Sequence, residues 1–285
     1  MSLLLKPLAI SDEQKTPEYY MRVIAVESGV VANMITTFRE MLPSFKNSIE
    51  TAISSLNPYT ADIHDKYICA SSDYKTLEKK LPHLNYLTVG QIMVSVPENI
   101  SCSLLTMAET LDKMLPELYK GALDILGDYN VFLASFITNK EIKISVKDYS
   151  AFYKGIKERR EALIKELAAC YANQNTRDAL RLKHVVDRLS DIPTIVGICD
   201  RLAKQRHTFG LERIDKEVNK SITLLNIIIR DTGDVEKVSG ISAANLSNGA
   251  YEVAKYIEFM GVFYYKITAL NKSVEQIVAS LNKNS

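Results

Sequence analysis

The histidines of this 285-residue chain offer the widest range of chemistry, because imidazole serves as general base, proton carrier and metal ligand. A di-metal carboxylate site in a helical bundle needs a glutamate three residues before a histidine. The residues at that position before the four histidines are instead Ala61, Lys80, Arg181 and Lys204. His184 and Asp187 have the spacing of a surface pair on one helix face. The sequence therefore predicts no metal site and no catalytic histidine.

The four cysteines could form disulfides, hold zinc or supply a nucleophile, and their spacing decides among these roles. They are Cys69, Cys102, Cys170 and Cys199, with no C-x-x-C pair among them. Zinc ribbons and thioredoxin-like motifs need close pairs, because two sulfurs must converge. We therefore expect four small, buried, apolar side chains in a reducing compartment.

Glycine spacing excludes the common nucleotide-binding loops. No two glycines lie closer than Gly121 and Gly127, and none directly precedes a lysine. A P-loop or a Rossmann turn needs close glycines so that backbone N–H groups can approach a phosphate. The stretch 240–244 approaches a nucleophile elbow but ends in Ala244 and follows a charged segment. We expect a protein that is not an enzyme and that needs no cofactor.

The densest basic stretch, 177–206, is the candidate phosphate-binding surface. Its candidate phosphate contacts are Arg177, Arg181, Lys183 and Arg188. Four aspartates interleave with them, which favours an ordinary solvated helix face. The whole chain carries 35 Lys+Arg against 34 Asp+Glu, so it has no general charge that would attract nucleic acid. Nucleic-acid binding stays open but is not indicated.

The elements that position these residues are mainly helices. Few glycines and prolines and no tryptophan accompany long stretches with apolar residues at helical spacing, so the fold class is mainly all-α, an elongated multi-helix bundle. Helices are predicted from Thr16 to Met41, ended or kinked by Pro43, and then over 45–56, 72–81, 101–137, 146–171, 176–190, 193–207, 211–229 and 242–281. Pro116 and Gly127 are expected kink points.

Extended structure is expected only near 84–97 and 141–144. Ile92, Val94 and Val96 alternate with other residues, and Ile142 and Ile144 flank Lys143. The two stretches could pair in a small sheet or run as extended connectors against the helices. We expect one domain over 1–285, with a subdivision into 1–140, which contains the extended insert 58–100, and 145–285.

The C-terminal helix has the strongest periodicity in the chain. A seam at four-three spacing continues for five heptads, which predicts a coiled-coil-like helix about 60 Å long. The predicted interface residues on it are Leu246, Val253, Ile257, Met260, Tyr264, Ile267, Asn271, Val274, Val278 and Leu281. Asn271 either fixes the register or the partner number of this seam, or is solvated where the helix end frays.

No membrane span or signal peptide is expected. The longest stretch without Asp, Glu, Lys or Arg is Leu81–Pro97, which is too short to cross a bilayer as a helix. The apolar run at the N-terminus is shorter than the core of a signal peptide. We therefore expect a chain that is not secreted by a signal peptide.

Three stretches carry a family resemblance. They are 3–8 (LLLKPL), 94–98 (VSVPE) and the long C-terminal helix, and together they resemble internal head or virion structural proteins of large tailed bacteriophages. The resemblance implies a helical protein packaged in many copies, in the virion or in the host cytoplasm before assembly. Some such proteins are trimmed after an Ile/Leu-x-Glu sequence, which 115–117 and 164–166 match. The resemblance assigns no functional residue.

The leading hypothesis is a structural protein whose helix seams bind copies of itself or other structural proteins of an assembly. A helical toxin or membrane-remodelling protein is the first alternative, with Leu84–Val96 or Val262–Tyr265 as the inserting segment. A helical nucleic-acid-binding protein that uses the 177–206 surface is the second.

Overall fold

The computed structural model describes residues 40, 42–54, 67–94, 100–139, 146–171, 180–209, 211–231 and 240–284. Within these ranges the chain forms eight α-helices and one two-stranded ribbon, so the predicted all-α class is confirmed. The helices are α1 (42–54), α2 (Ser72–Lys80), α3 (Tyr86–Val89), α4 (Leu104–Asn139), α5 (Val146–Ala169), α6 (Ile192–Phe209), α7 (Leu211–Asp231) and α8 (Gly240–Lys283). The predicted helix from Thr16 lies outside the described residues, apart from residue 40. Residue 40 and residues 42–54 are helical, and Pro43 lies within α1.

Side-chain caps set the ends of the short helices. The Ser71 hydroxyl accepts the Tyr74 N–H at 3.1 Å and caps α2, one residue before the predicted start. Pro82 then lies in a 3-10 turn, Leu81–His83, which ends α2 as predicted. The Asn85 side chain accepts the Leu87 N–H at 2.9 Å and caps α3.

A small antiparallel ribbon replaces one predicted helix. Strand β1 (Met93–Val94) pairs with β2 (Leu180–Arg181), with Met93 opposite Arg181. Two short 3-10 turns follow β2, so the predicted helix over 176–190 is wrong where the structure describes it. Pairing across the chain, extended by the Leu182 N–H to the Ile92 carbonyl at 2.8 Å, outweighs the helical tendency of this segment. The extended structure expected near 84–97 is confirmed at β1, although residues 86–89 of this stretch are helical, whereas 141–144 lies outside the described residues.

Helix α4 lies at the centre of the bundle and packs against α5, α6, α7 and α8. It runs through both Pro116 and Gly127, so neither ends it. Its inward face, including Leu111, Leu115 and Leu118, is buried in one continuous apolar cluster that every α-helix of the described chain joins. The predicted helices over 101–137, 193–207 and 211–229 are confirmed within a few residues at each end. The helix predicted over 146–171 begins at Val146 as expected and ends at Ala169.

Helix α8 is continuous over 44 residues, about 66 Å at 1.5 Å per residue. It packs against α2, α4, α5 and α6, and it also contacts β1. Such a long helix needs this many neighbours, because its apolar seam runs along nearly its whole length. No helix of the described residues is long and apolar enough to cross a membrane.

Candidate functional site

The predicted interface seam on α8 is covered by helices of the same chain. Its nine apolar or aromatic members are at most 2% exposed: Leu246, Val253, Ile257, Met260, Tyr264, Ile267, Val274, Val278 and Leu281. A partner molecule could reach these residues only if the bundle opened. Contacts between copies must therefore use other surfaces.

Asn271 occupies the polar position in this seam and is half-buried. Its Oδ1 atom is buried without a hydrogen-bond partner. Helix α8 continues to Lys283, so the interpretation of Asn271 as a residue at a frayed end is wrong. A buried acceptor without a partner carries a desolvation cost.

Replacing Asn271 by leucine is expected to raise the free energy of unfolding by about 1–2 kcal/mol, because the unpartnered amide oxygen is removed from the seam. Urea denaturation followed by circular dichroism measures the change. Lys272→Leu, at the exposed neighbouring position, is the control and should have little effect. Destabilisation of the Asn271→Leu variant would contradict this account.

Candidate phosphate contacts and apolar side chains meet at the ribbon. Met93 is 54% exposed opposite Arg181, and the Lys183 N–H bonds the Gly90 carbonyl at 3.3 Å. Leu87, 80% exposed on α3, lies just before this strand. We call Leu87, Met93, Arg181 and Lys183 the ribbon face. It combines the segment proposed for membrane insertion with two of the residues proposed to bind phosphate.

The ribbon face is held firmly by its surroundings. The Tyr86 hydroxyl donates to the Val186 carbonyl at 2.6 Å and joins α3 to the segment after β2. Arg188 is exposed, and its N–H bonds the Asp191 carboxylate at 3.1 Å. His184 ends the first 3-10 turn after β2 and Asp187 lies beyond that turn, so the expected pair on one helix face is wrong, although both residues are exposed. Arg177 lies outside the described residues.

A surface of opposite charge lies further along α4. Asp124, Asp128 and Val131 are exposed at positions i, i+4 and i+7, and we call them the acidic stripe. Arg159 approaches Asp124 only to 3.9 Å, in an exposed pair. Partial burial, followed by the charge of Asp124, raises the pKa of Asp128. The stripe thus joins two carboxylates to an apolar side chain that is 59% exposed.

The two surfaces lie at opposite ends of α4. The Leu104 N–H donates to the Val185 carbonyl at 2.8 Å, which places the first turn of α4 beside the segment that follows β2. Val131 is 27 residues further along, about 40 Å at the helical rise. One rigid helix therefore separates a basic apolar surface from an acidic apolar one.

A cleft of about 660 Å³ lies between the 67–73 segment and α8. Asp73 and Glu275 line it together with Tyr67 and Ser71. The Ser71 hydroxyl already donates to the Ile68 carbonyl and caps α2. The described lining of the cleft does not pair a nucleophile with a base.

Two expectations about cysteines and aromatic residues need correction. Cys69 is exposed and Cys102 is half-buried, so only Cys170 and Cys199 are the buried thiols expected from the sequence. Phe263 and Tyr264 are fully buried, so the alternative inserting segment Val262–Tyr265 lies partly in the core. Among the described residues, no group of three or more His, Cys, Asp or Glu side chains could hold a metal ion.

The sequence did not reveal which residues form these surfaces. Leu87 and Met93 sit in a segment without helical periodicity, and their exposure depends on how the ribbon packs. The spacing of Asp124, Asp128 and Val131 was visible, but it resembles any solvated helix face. The chain matches no protein-family model, and neither curated proteins nor solved structures show a significant similarity to it.

Proposed function

We propose that this chain is a non-enzymatic structural protein that assembles in multiple copies. The ribbon face of one copy binds the acidic stripe of the next. The observation that carries this proposal is the pair of exposed surfaces, opposite in charge and each with exposed apolar side chains. One lies beside the first turn of α4, and the other lies about 30–40 Å further along this helix. The helices packed around the buried α8 seam form a rigid bundle, which keeps the ribbon face and the acidic stripe apart.

The chemistry of the two surfaces is complementary. Arg181 and Lys183 face two carboxylates, Asp124 and Asp128, while Leu87 and Met93 can cover Val131. Charges of opposite sign at such a contact fix its register and suppress wrong pairings. Burial of the exposed apolar side chains supplies the favourable free energy.

A contact between two different surfaces of identical copies is heterologous. It produces rings when the rotation between copies closes, and open arrays when it does not. An antiparallel dimer that uses both contacts at once is the smallest closed form. Each of these is a multicopy assembly of the kind that a structural protein forms.

The resemblance to internal head and virion structural proteins of large tailed bacteriophages favours a phage particle as the site of assembly. Quantitative mass spectrometry of purified phage particles, taken from the phage that encodes this chain, tests this part of the proposal. Many copies per particle are expected. Absence of the chain from the particle would contradict a virion role, but it would not contradict the proposed self-assembly contact.

Charge reversal tests the self-assembly contact. Arg181→Glu/Lys183→Glu and Asp124→Lys/Asp128→Lys are each expected to weaken self-association by more than about tenfold, because like charges then face each other. An equimolar mixture of the two variants should assemble again, since each supplies the charge that the other now needs. Light scattering after size-exclusion chromatography measures the mass at several concentrations.

Lys216→Glu/Lys220→Glu on the exposed side of α7 is the matched control, with the same charge change at residues that belong to neither surface. It should assemble like the unaltered chain. A wild-type chain that stays monomeric at high concentration would overturn the proposal. So would salt-dependent binding of DNA, or binding to anionic vesicles, that requires Arg181 and Lys183 while self-association does not.

A further inference from the structure

Two cysteines 68 positions apart meet where α4 begins and α5 ends. The Cys102 thiol donates to the Cys170 carbonyl oxygen at 3.8 Å, so the side chain of one cysteine reaches the backbone of the other. The Cys170 thiol lies 3.8 Å from the Thr110 hydroxyl, on the first turns of α4. Among the described cysteines, these two are the only ones in mutual contact.

The backbone around the two thiols is fixed by hydrogen bonds. The Ser101 N–H donates to the Cys170 carbonyl at 3.0 Å, and the Ser101 hydroxyl donates to the Ala169 carbonyl at 2.7 Å. Ile100 and Tyr171 form an antiparallel bridge beside them. These hydrogen bonds fix the backbone beside Cys102 and Cys170, so the two sulfur atoms are held close to each other.

The environment distinguishes Cys170 from the other thiols. The neighbouring Cys102 side chain lowers the pKa of Cys170, against the opposing effect of burial. The Cys170 contact and burial raise the pKa of Cys102. Burial raises the pKa of Cys199, and the Asp200 carboxylate raises that of the exposed Cys69. Because the thiolate is the reactive form, Cys170 is the expected nucleophile.

We propose that Cys102 and Cys170 form a dithiol that hydrogen peroxide oxidises to an intramolecular disulfide. The Cys170 thiolate attacks one peroxide oxygen, the O–O bond breaks, and Cys170 sulfenic acid and hydroxide form. The Cys102 sulfur then attacks the Cys170 sulfur and forms the S–S bond. The sulfenic oxygen leaves as water with the thiol proton, so two thiols and one peroxide give one disulfide and two water molecules.

The size of the oxidant suits the site. Cys170 is 6% exposed, so a small peroxide can reach it where a bulky disulfide reagent is excluded. Cys102 is more exposed and can turn toward the oxidised partner. The product ties the start of α4 to the end of α5 and closes a loop that contains both helices.

Peroxide treatment of the full chain tests the proposal. Mass mapping without reduction should find the Cys102 and Cys170 peptides linked, with two hydrogens lost, and dithiothreitol should reverse the link. The oxidation rate should rise with pH, because the thiolate fraction rises. The midpoint of thermal unfolding should rise by roughly 5–10 °C, because the cross-link restricts the unfolded chain.

Two variants separate this site from the other thiols. Cys69→Ser should form the same link, since the exposed thiol takes no part. Cys102→Ser should stop at Cys170 sulfenic acid, which mass spectrometry detects as one added oxygen on the Cys170 peptide. Oxidation of Cys69 alone, sulfinic acid at Cys170 in the unaltered chain, or a link only between chains would overturn the proposal. The mapping of the unaltered chain decides the question even if Cys102→Ser does not fold.

Discussion

Replacing Glu252 by alanine is expected to lower the free energy of unfolding by about 3–5 kcal/mol. The Glu252 carboxylate on α8 accepts a hydrogen bond from the Arg160 guanidinium on α5, and both residues are 7% exposed. Removal of the carboxylate leaves a guanidinium charge buried between two helices without its partner. Urea denaturation of the variant and the unaltered chain measures the loss.

The exposed pair Lys154 and Glu158 on α5 provides the control. Its side chains are 76% and 64% exposed, so Glu158→Ala should leave the free energy of unfolding nearly unchanged. Equal effects of Glu158→Ala and Glu252→Ala would show that the Arg160–Glu252 pair is not buried in solution.

For the double variant Arg160→Met/Glu252→Leu we expect the opposite result. Its free energy of unfolding should be at least as large as that of the unaltered chain. Burial raises the pKa of Glu252, and the attraction of Arg160 offsets this only in part. The ionised carboxylate is thus less favourable in the fold than in water, even beside its partner. Apolar side chains of similar volume remove both desolvation costs together. A double variant as unstable as Glu252→Ala would contradict this balance.

Alanine at Gly121 and at Gly127 should change stability in opposite directions, although both lie in α4. A Cβ atom on Gly121 would meet the phenolic ring of Tyr256, with Cζ at 2.6 Å and the hydroxyl oxygen nearer still. Tyr256 is 1% exposed, so its ring is enclosed in the core. We expect Gly121→Ala to lower the free energy of unfolding by about 1–3 kcal/mol.

Gly127→Ala provides the matched comparison, six residues further along the same helix. A Cβ atom there meets no other atom within 4 Å. The gain in helix propensity should raise the free energy of unfolding by about 0.5–1 kcal/mol. Thermal or urea unfolding of both variants gives the difference. Similar effects at the two positions would show that α4 and α8 do not approach each other as closely as Gly121 and Tyr256 indicate.

The long helices could be predicted from the sequence because each presents a repeated apolar face. The seam from Leu246 to Leu281 fixed both the extent of α8 and its buried side, since no other conformation places residues at this spacing on one line. Residues that cap or break helices, such as Pro82 and Asp231, then indicated where several of the helices end. The direction in which each seam faced was predictable, but not whether the covering helices belonged to the same chain.

The pairing of the ribbon and the dithiol could not be predicted, for a common reason. The alternation over 92–96 indicated extended structure at β1, but β2 contains only two residues, which is too few for a period to show, and the paired residues are 86 and 88 positions apart. Cys102 and Cys170 meet only because α4 and α5 pack in one register, which local spacing does not encode. The same holds for the ribbon face, whose residues come from segments before and after two long helices.

The central position of α4 also determines how the chain loses its structure. This helix precedes residue 140, whereas the four helices around it follow residue 145. Neither stretch can shield its own apolar surface from water without the other. Melting of either one must therefore expose the interior of both, and the bundle gains or loses order as a single cooperative unit.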